Sequence, residues 1–137
     1  MLLLITSAFH YLAVLPHVIK YYNKVLPHIQ RVYINLIILS TTISIIWHYY
    51  NEPRNLLLYF HYYLAFLWFV GDMLWALDLN NITIVSLNII SFILNININF
   101  SNNYILYHSI WHIINACKCI YVSYIINTNL VYYKIEN

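Results

Sequence analysis

The sequence predicts an all-α polytopic transmembrane bundle of about five helices. Of the 137 residues, 63% are hydrophobic and 7% are charged, whereas a soluble domain carries roughly 25% charged residues. The chain therefore lacks the means to cover a water-facing surface of its own. Its apolar runs are long enough to span the ~30 Å hydrocarbon core of a bilayer, and short breaks rich in Asn, Pro and charge separate them. The membrane is thus the first expected partner. A net charge of +2 gives no reason to expect nucleic acid.

Taken in order, the first helix covers residues 2–19, with Pro16 placed to kink its end. The run is apolar like a signal peptide. It has no basic leading region and no small-x-small cleavage site before Pro16, so it reads as a retained membrane helix. A polar loop with Lys20, Lys24, Pro27 and Arg31 leads to a second helix over 32–50. The Asn51-Glu52-Pro53-Arg54 stretch is the clearest break, because proline stops a helix and the charges favour water. A third helix over 56–77 contains His61, Gly71 and Asp72. Asn80-Asn81 turns the chain into a fourth helix over 82–99. The Asn88, Asn95, Asn97 and Asn99 of that helix predict that part of it faces protein. After a turn at 101–103, a fifth helix covers 104–126 and a polar tail follows. No repeat and no boundary divides the chain, so residues 1–137 read as one transmembrane domain. Basic residues cluster in the first loop, and Lys134 lies in the tail. The positive-inside rule then places the N-terminus outside or in a lumen and the C-terminus in the cytosol.

The polar residues inside these runs carry the functional argument. His108 and His112 are four apart in the fifth helix, so they share a face one turn apart. His48 lies near the end of the second helix on the same side of the membrane. At 1.5 Å per residue, all three fall in the outer ~4–13 Å of the bilayer. Three converging neutral imidazoles are a common zinc set, with the fourth position open in catalytic sites. Ser44, one turn before His48, is placed to hydrogen-bond the site or to stabilise an oxyanion. Asp72 is the leading candidate for the acidic group that positions or deprotonates water, because a carboxylate inside a membrane segment needs a reason. His10, His17 and His28 read instead as interhelical hydrogen-bonding or interfacial residues. The four tryptophans and fifteen tyrosines read as packing and interface residues. Asp78 reads as solvated at a helix end. Cys117 and Cys119 point in different directions on a helix and read as small packing residues rather than a disulfide or a zinc finger.

The order Ser44-Ile-Ile-Trp-His48, then Asp72, then His108-Ser-Ile-Trp-His112 is similar to the Ser-x-x-x-His, Asp, His-x-x-x-His signature of the CREST superfamily. That superfamily of membrane hydrolases includes alkaline ceramidases, adiponectin-receptor-like proteins and GPI-remodelling phospholipases. The branch with myomaker and the post-GPI-attachment phospholipase is the nearest in pattern. There an acidic-Pro turn follows the first histidine, as Glu52-Pro53 does here, and the last motif reads His-Ser-x-Trp-His. The resemblance covers residues 1–80 and 104–126. It implies zinc held by His48, His108 and His112, with Asp72 and Ser44 beside it. The implied activity is hydrolysis of an amide or ester in a lipid, either ceramide-like or a phospholipid or GPI acyl chain. Two departures stand out. The family has seven helices rather than five, which points either to a reduced relative whose cavity has lost walls or to one that needs a partner or a homodimer. And if the third helix starts at Leu56, Asp72 lies about 24 Å down it, too deep to meet the histidines. Either the helix starts nearer Leu64, with 54–63 at the interface, as the motif favours, or Asp72 is outside the site and His61 becomes the rival ligand. The alternative to a hydrolase is a membrane scaffold, fusogen-like or receptor-like, with a structural metal. A third reading is a helical subunit with no metal.

Overall fold

A computed structural model describes residues 1–22, 24–98 and 102–132, with side chains described through 128. The described residues are helical apart from short turns, with no strand among them. Helix α1 is a rod over Leu2–Tyr21. It is α-helical over Leu2–Ala8 and Leu15–Tyr21 and tightens to a 3-10 helix over Phe9–Val14. Pro16 accounts for the tightening. It has no N–H to bond to Leu12, and its ring crowds that carbonyl. The Leu12 carbonyl instead accepts from Leu15, three residues on. The proline expected to kink the helix therefore alters its pitch one turn earlier.

Helices α2 (His28–Tyr49), α3 (Leu56–Asp78), α4 (Ile82–Ile98) and α5 (Tyr104–Tyr132) follow. Helix α2 starts before residue 32 because Pro27 serves as its N-cap, in an extended conformation that leads into the helix. Asn55 caps α3 by accepting from Leu57 N at 3.0 Å, and Asn81 accepts from Ile84 N at 3.1 Å at the start of α4. Helix α5 passes the expected end at 126. No Pro or Gly stops it there, and its buried Asn127 is tied to His17 Nδ1 at 3.0 Å. Helices α1, α2, α3 and α5 are long and apolar enough to cross a membrane, and α4 is a shorter apolar helix. Asn99, Ser101 and Lys134 lie outside the described residues.

Each helix packs on its sequence neighbours, and α5 also packs along α1, which closes a ring. Inward residues recur at three- and four-residue spacing. On α1 they are Ser7, His10, Ala13 and His17; on α3 they are His61, Leu64, Trp68, Asp72 and Trp75. This inward stripe is largely polar, while Ile19, Phe66, Leu77 and Ile82 are exposed on the outside. A water-soluble protein reverses that arrangement. In a bilayer the outer apolar side chains face lipid, and the polar groups have only one another. An apolar core fills one half of the ring around Ile37, Trp75, Ile84, Cys119, Val122 and Ile126. Cys119 is buried in it and Cys117 is exposed, both as free thiols.

Candidate metal centre

His48, His108 and His112 meet at the end of the ring opposite this core, and one nitrogen from each lies within 4.8 Å of the others. The His108 and His112 rings stack with centroids 4.7 Å apart, as their one-turn spacing predicts. His48 comes from α2, across the ring, and its Nε2 lies 3.0 Å from His112 Nε2. Zinc–nitrogen bonds of about 2.0–2.1 Å at tetrahedral angles set ligand nitrogens about 3.3 Å apart. The His48–His112 separation is close to that value, and the three donors together lie near enough to share one small ion.

The backs of two of the rings are held by one hydrogen-bonded chain. His48 Nδ1 donates to Glu52 Oε1 at 2.9 Å. The Tyr104 hydroxyl donates to Glu52 Oε2 at 2.8 Å and accepts from His108 Nδ1 at 2.6 Å. A carboxylate can only accept, so both rings carry their proton on Nδ1 and leave the Nε2 lone pair facing the cluster. Metal-binding histidines are oriented in this way. Burial acts to raise the Glu52 carboxyl, but the hydrogen bonds from His48 and Tyr104 outweigh it and hold the group below its ordinary value. Local backbone geometry makes the contact. Asn51 and Glu52 both adopt left-handed conformations, with φ of 58° and 57°. Glu52 N bonds back to Trp47 O at 2.9 Å, and this folds the carboxylate under the end of α2. Such φ values are uncommon for residues other than glycine and persist where the surroundings fix them.

Ser7 and Ser44 stand on the other side of His112. Ser7 Oγ is 3.1 Å from His112 Nε2, and Ser44 donates to Ser7 Oγ at 3.5 Å. His10 packs edge-on to His112 with ring centroids 5.4 Å apart and accepts from Asn115 Nδ2 at 2.9 Å. A cavity of about 390 Å³ begins here, lined by Ser44, His61 and His112, and reaches Asn88 and Lys118.

The structure thus brings four expected residues together: the three histidines, with Ser44 alongside. His61 lies next to the group rather than in it, its ring stacked on Trp47 at 4.7 Å. Asp72 is elsewhere, which corrects the expectation that it joins the histidines. Helix α3 does start at Leu56, so Asp72 sits about 24 Å along it. It pairs with Lys118 Nζ at 2.7 Å and accepts from the Tyr33 hydroxyl. Lys118 also donates to Asn88 Oδ1 at 2.8 Å. His10 and His17 do form the expected interhelical hydrogen bonds, to Asn115 and Asn127. Asn88 faces protein as expected and Asn95 lines the cavity, while Asn97 donates to its own helix at Ile93 O.

Sequence reasoning left out Glu52, Tyr104, Ser7 and Lys118. Lys118 had a legible signal, a lone cation in an apolar run. The contact of Glu52 with His48 depends on two left-handed residues and had no such signal. No protein-family model, curated protein or solved structure matches this chain.

Proposed function

We propose that this protein binds zinc through Nε2 of His48, His108 and His112 and hydrolyses an amide or ester bond in a membrane lipid, as a reduced relative of the CREST superfamily. The observation that carries the reading is the pair of back-held tautomers. Glu52 and Tyr104 fix Nδ1–H on His48 and His108, so two Nε2 lone pairs converge with His112 on one point beside a cavity. A divalent ion bound there supplies Lewis acidity toward an acyl carbonyl and toward water. The chain's own groups then have separate tasks. Glu52 and Tyr104 hold the ligands in orientation. Ser44 Oγ, on the cavity wall, is placed to donate to an acyl oxygen. The apolar walls exclude bulk water and strengthen each of these interactions. Lys20, Lys24 and Arg31 lie toward the opposite end of the bundle from the histidines, so the positive-inside rule puts the site on the outer or lumenal side, with the N-terminus.

One observation favours a second reading, a membrane scaffold with a structural metal. Asp72, the carboxylate expected to take the proton from water, is committed to Lys118. The two readings share the metal and differ in turnover. The test is zinc content per chain for protein purified in mild detergent, wild type beside His108→Ala and His112→Ala, followed by assays on acyl-ester and acyl-amide lipids. Near one zinc per chain, lost in both variants, with zinc-dependent release of fatty acid, is the expected result. Stoichiometric zinc without turnover selects the scaffold. A folded, monodisperse wild type without metal overturns both.

A further inference from the structure

The cavity has two unlike walls. Tyr62, Phe66 and Phe92 line it from α3 and α4 and are also exposed on the outside of the bundle, so it opens sideways toward lipid. Much of the remaining lining is polar, and part of it is already satisfied: Ser91 donates to Asn115, and Asn115 donates to His10. Among the described residues, four buried polar atoms of lining residues have no hydrogen-bond partner: Thr41 Oγ1, His61 Nδ1, Asn88 Nδ2 and His112 Nδ1. A buried polar group left without a partner destabilises a dry interior.

These atoms fall at two depths. His61 and His112 are at the metal centre. Thr41 lies seven residues before His48 on α2, and Lys118, which holds Asn88, lies six residues after His112 on α5. The offsets correspond to about 10.5 Å and about 9 Å along the bundle axis, in the same direction. A plain hydrocarbon chain lying in the cavity would leave the Thr41 hydroxyl and the Asn88 amide stranded against methylene groups. A chain with an oxygen at that depth would satisfy both, because a hydroxyl accepts from the amide and exchanges a hydrogen bond with the threonine.

We propose that Thr41 and Asn88 form a recognition subsite for an oxygen substituent on the ligand's hydrocarbon chain, about 9 Å from the carbonyl held at the histidines. The ligand class is then an oxygenated acyl chain, in preference to a plain one. This deepens the hydrolase reading and rests on it for the position of the carbonyl.

The probes are octanoic acid and its ω-hydroxy derivative, in which seven carbon–carbon bonds separate carboxyl and carbinol carbons, about 9 Å when extended. Binding is measured calorimetrically to the full chain in lipid nanodiscs, with and without zinc, against empty nanodiscs. The hydroxy acid is expected to bind about tenfold tighter. Thr41→Val, which is nearly isosteric and leaves Lys118 and Asp72 untouched, is expected to remove most of that advantage, and Asn88→Ala the rest. Equal binding of the two acids, an advantage that persists in both variants, or no binding of either acid overturns the subsite. Selective binding without hydrolysis of the matching esters keeps the subsite and removes the hydrolase reading. Hydrolysis without selectivity does the reverse.

Discussion

Two polar centres sit in this bundle, and they differ in what they leave unsatisfied. At the deep centre, Asp72, Lys118, Tyr33 and Asn88 come from α2, α3, α4 and α5 and balance one another in charge and in most hydrogen bonds. At the histidine centre, Glu52 and Tyr104 hold His48 and His108 from behind, and in front Nε2 of His48 and of His112 face each other at 3.0 Å. A buried pair of opposite charges has no need of a further ion. Convergent lone pairs repel one another unless a cation or a proton lies between them. An ionisable residue in a membrane helix need not mark a metal site: Asp72, with Tyr33, Lys118 and Asn88, ties four helices together, while the candidate metal centre is built from histidines elsewhere in the bundle.

Several substitutions would break or sharpen this contrast. The largest effect is expected at the deep centre. Lys118→Met leaves Asp72 buried without its cation and should destabilise the bundle by about 3–5 kcal/mol, read as a lower midpoint of denaturation in detergent. Adding Asp72→Leu should restore most of the loss, because removal of both charges also removes the desolvation penalty. The double variant should then retain zinc near one per chain. A well-folded double variant without zinc would return Asp72 to the metal site and end the separation drawn here.

Next in size is Glu52→Gln. It keeps the shape but weakens the acceptor behind His48, and zinc affinity in chelator competition should fall about 10–100-fold, with little change in folding. Unchanged affinity would mean that the His48–Glu52 contact does not orient a ligand. Tyr104→Phe removes the link between Glu52 and His108 and should cost less, about tenfold in the same assay, since the ring still packs on His108. The smallest effect is expected at Asn51. Replacement with Gly relieves a left-handed backbone and should shift stability by no more than about 0.5–1 kcal/mol, with zinc affinity unchanged. A large drop in affinity would show that the asparagine side chain acts on the site as well as shaping the turn.

Some of this site was legible from the chain. The His108–His112 pair follows from helical spacing alone, and the shared depth of His48 follows from counting residues from helix ends. The same counting puts Asp72 too deep only for a helix that starts at Leu56; the motif favours Asp72 in the site, and the structure, which starts the helix at Leu56, pairs Asp72 with Lys118 instead. The partner of Asp72 could have been read from Lys118, the one cation within the apolar run 104–126. Glu52 was harder. In an extended loop it would point into solvent, and only the left-handed pair at Asn51 and Glu52 turns it back under His48. Ser7 and His10 come from the first helix, and nothing local in that run says which of its faces meets α5.

The sequence by itself determined that this is a bundle of membrane helices, where most of them begin and end, and which polar residues lie at similar depth. Those properties depend on apolar content, on breakers and on rise per residue, and all three are local. The tertiary structure decided which polar groups meet. Ring closure of α5 onto α1 puts Ser7 and His10 beside His112 and leaves a cavity reaching from His112 to Lys118. Rotation of each helix about its axis is set by packing with partners far away in sequence. Sequence constrains depth along a helix more tightly than azimuth around the bundle, and azimuth decides which side chains at one depth meet.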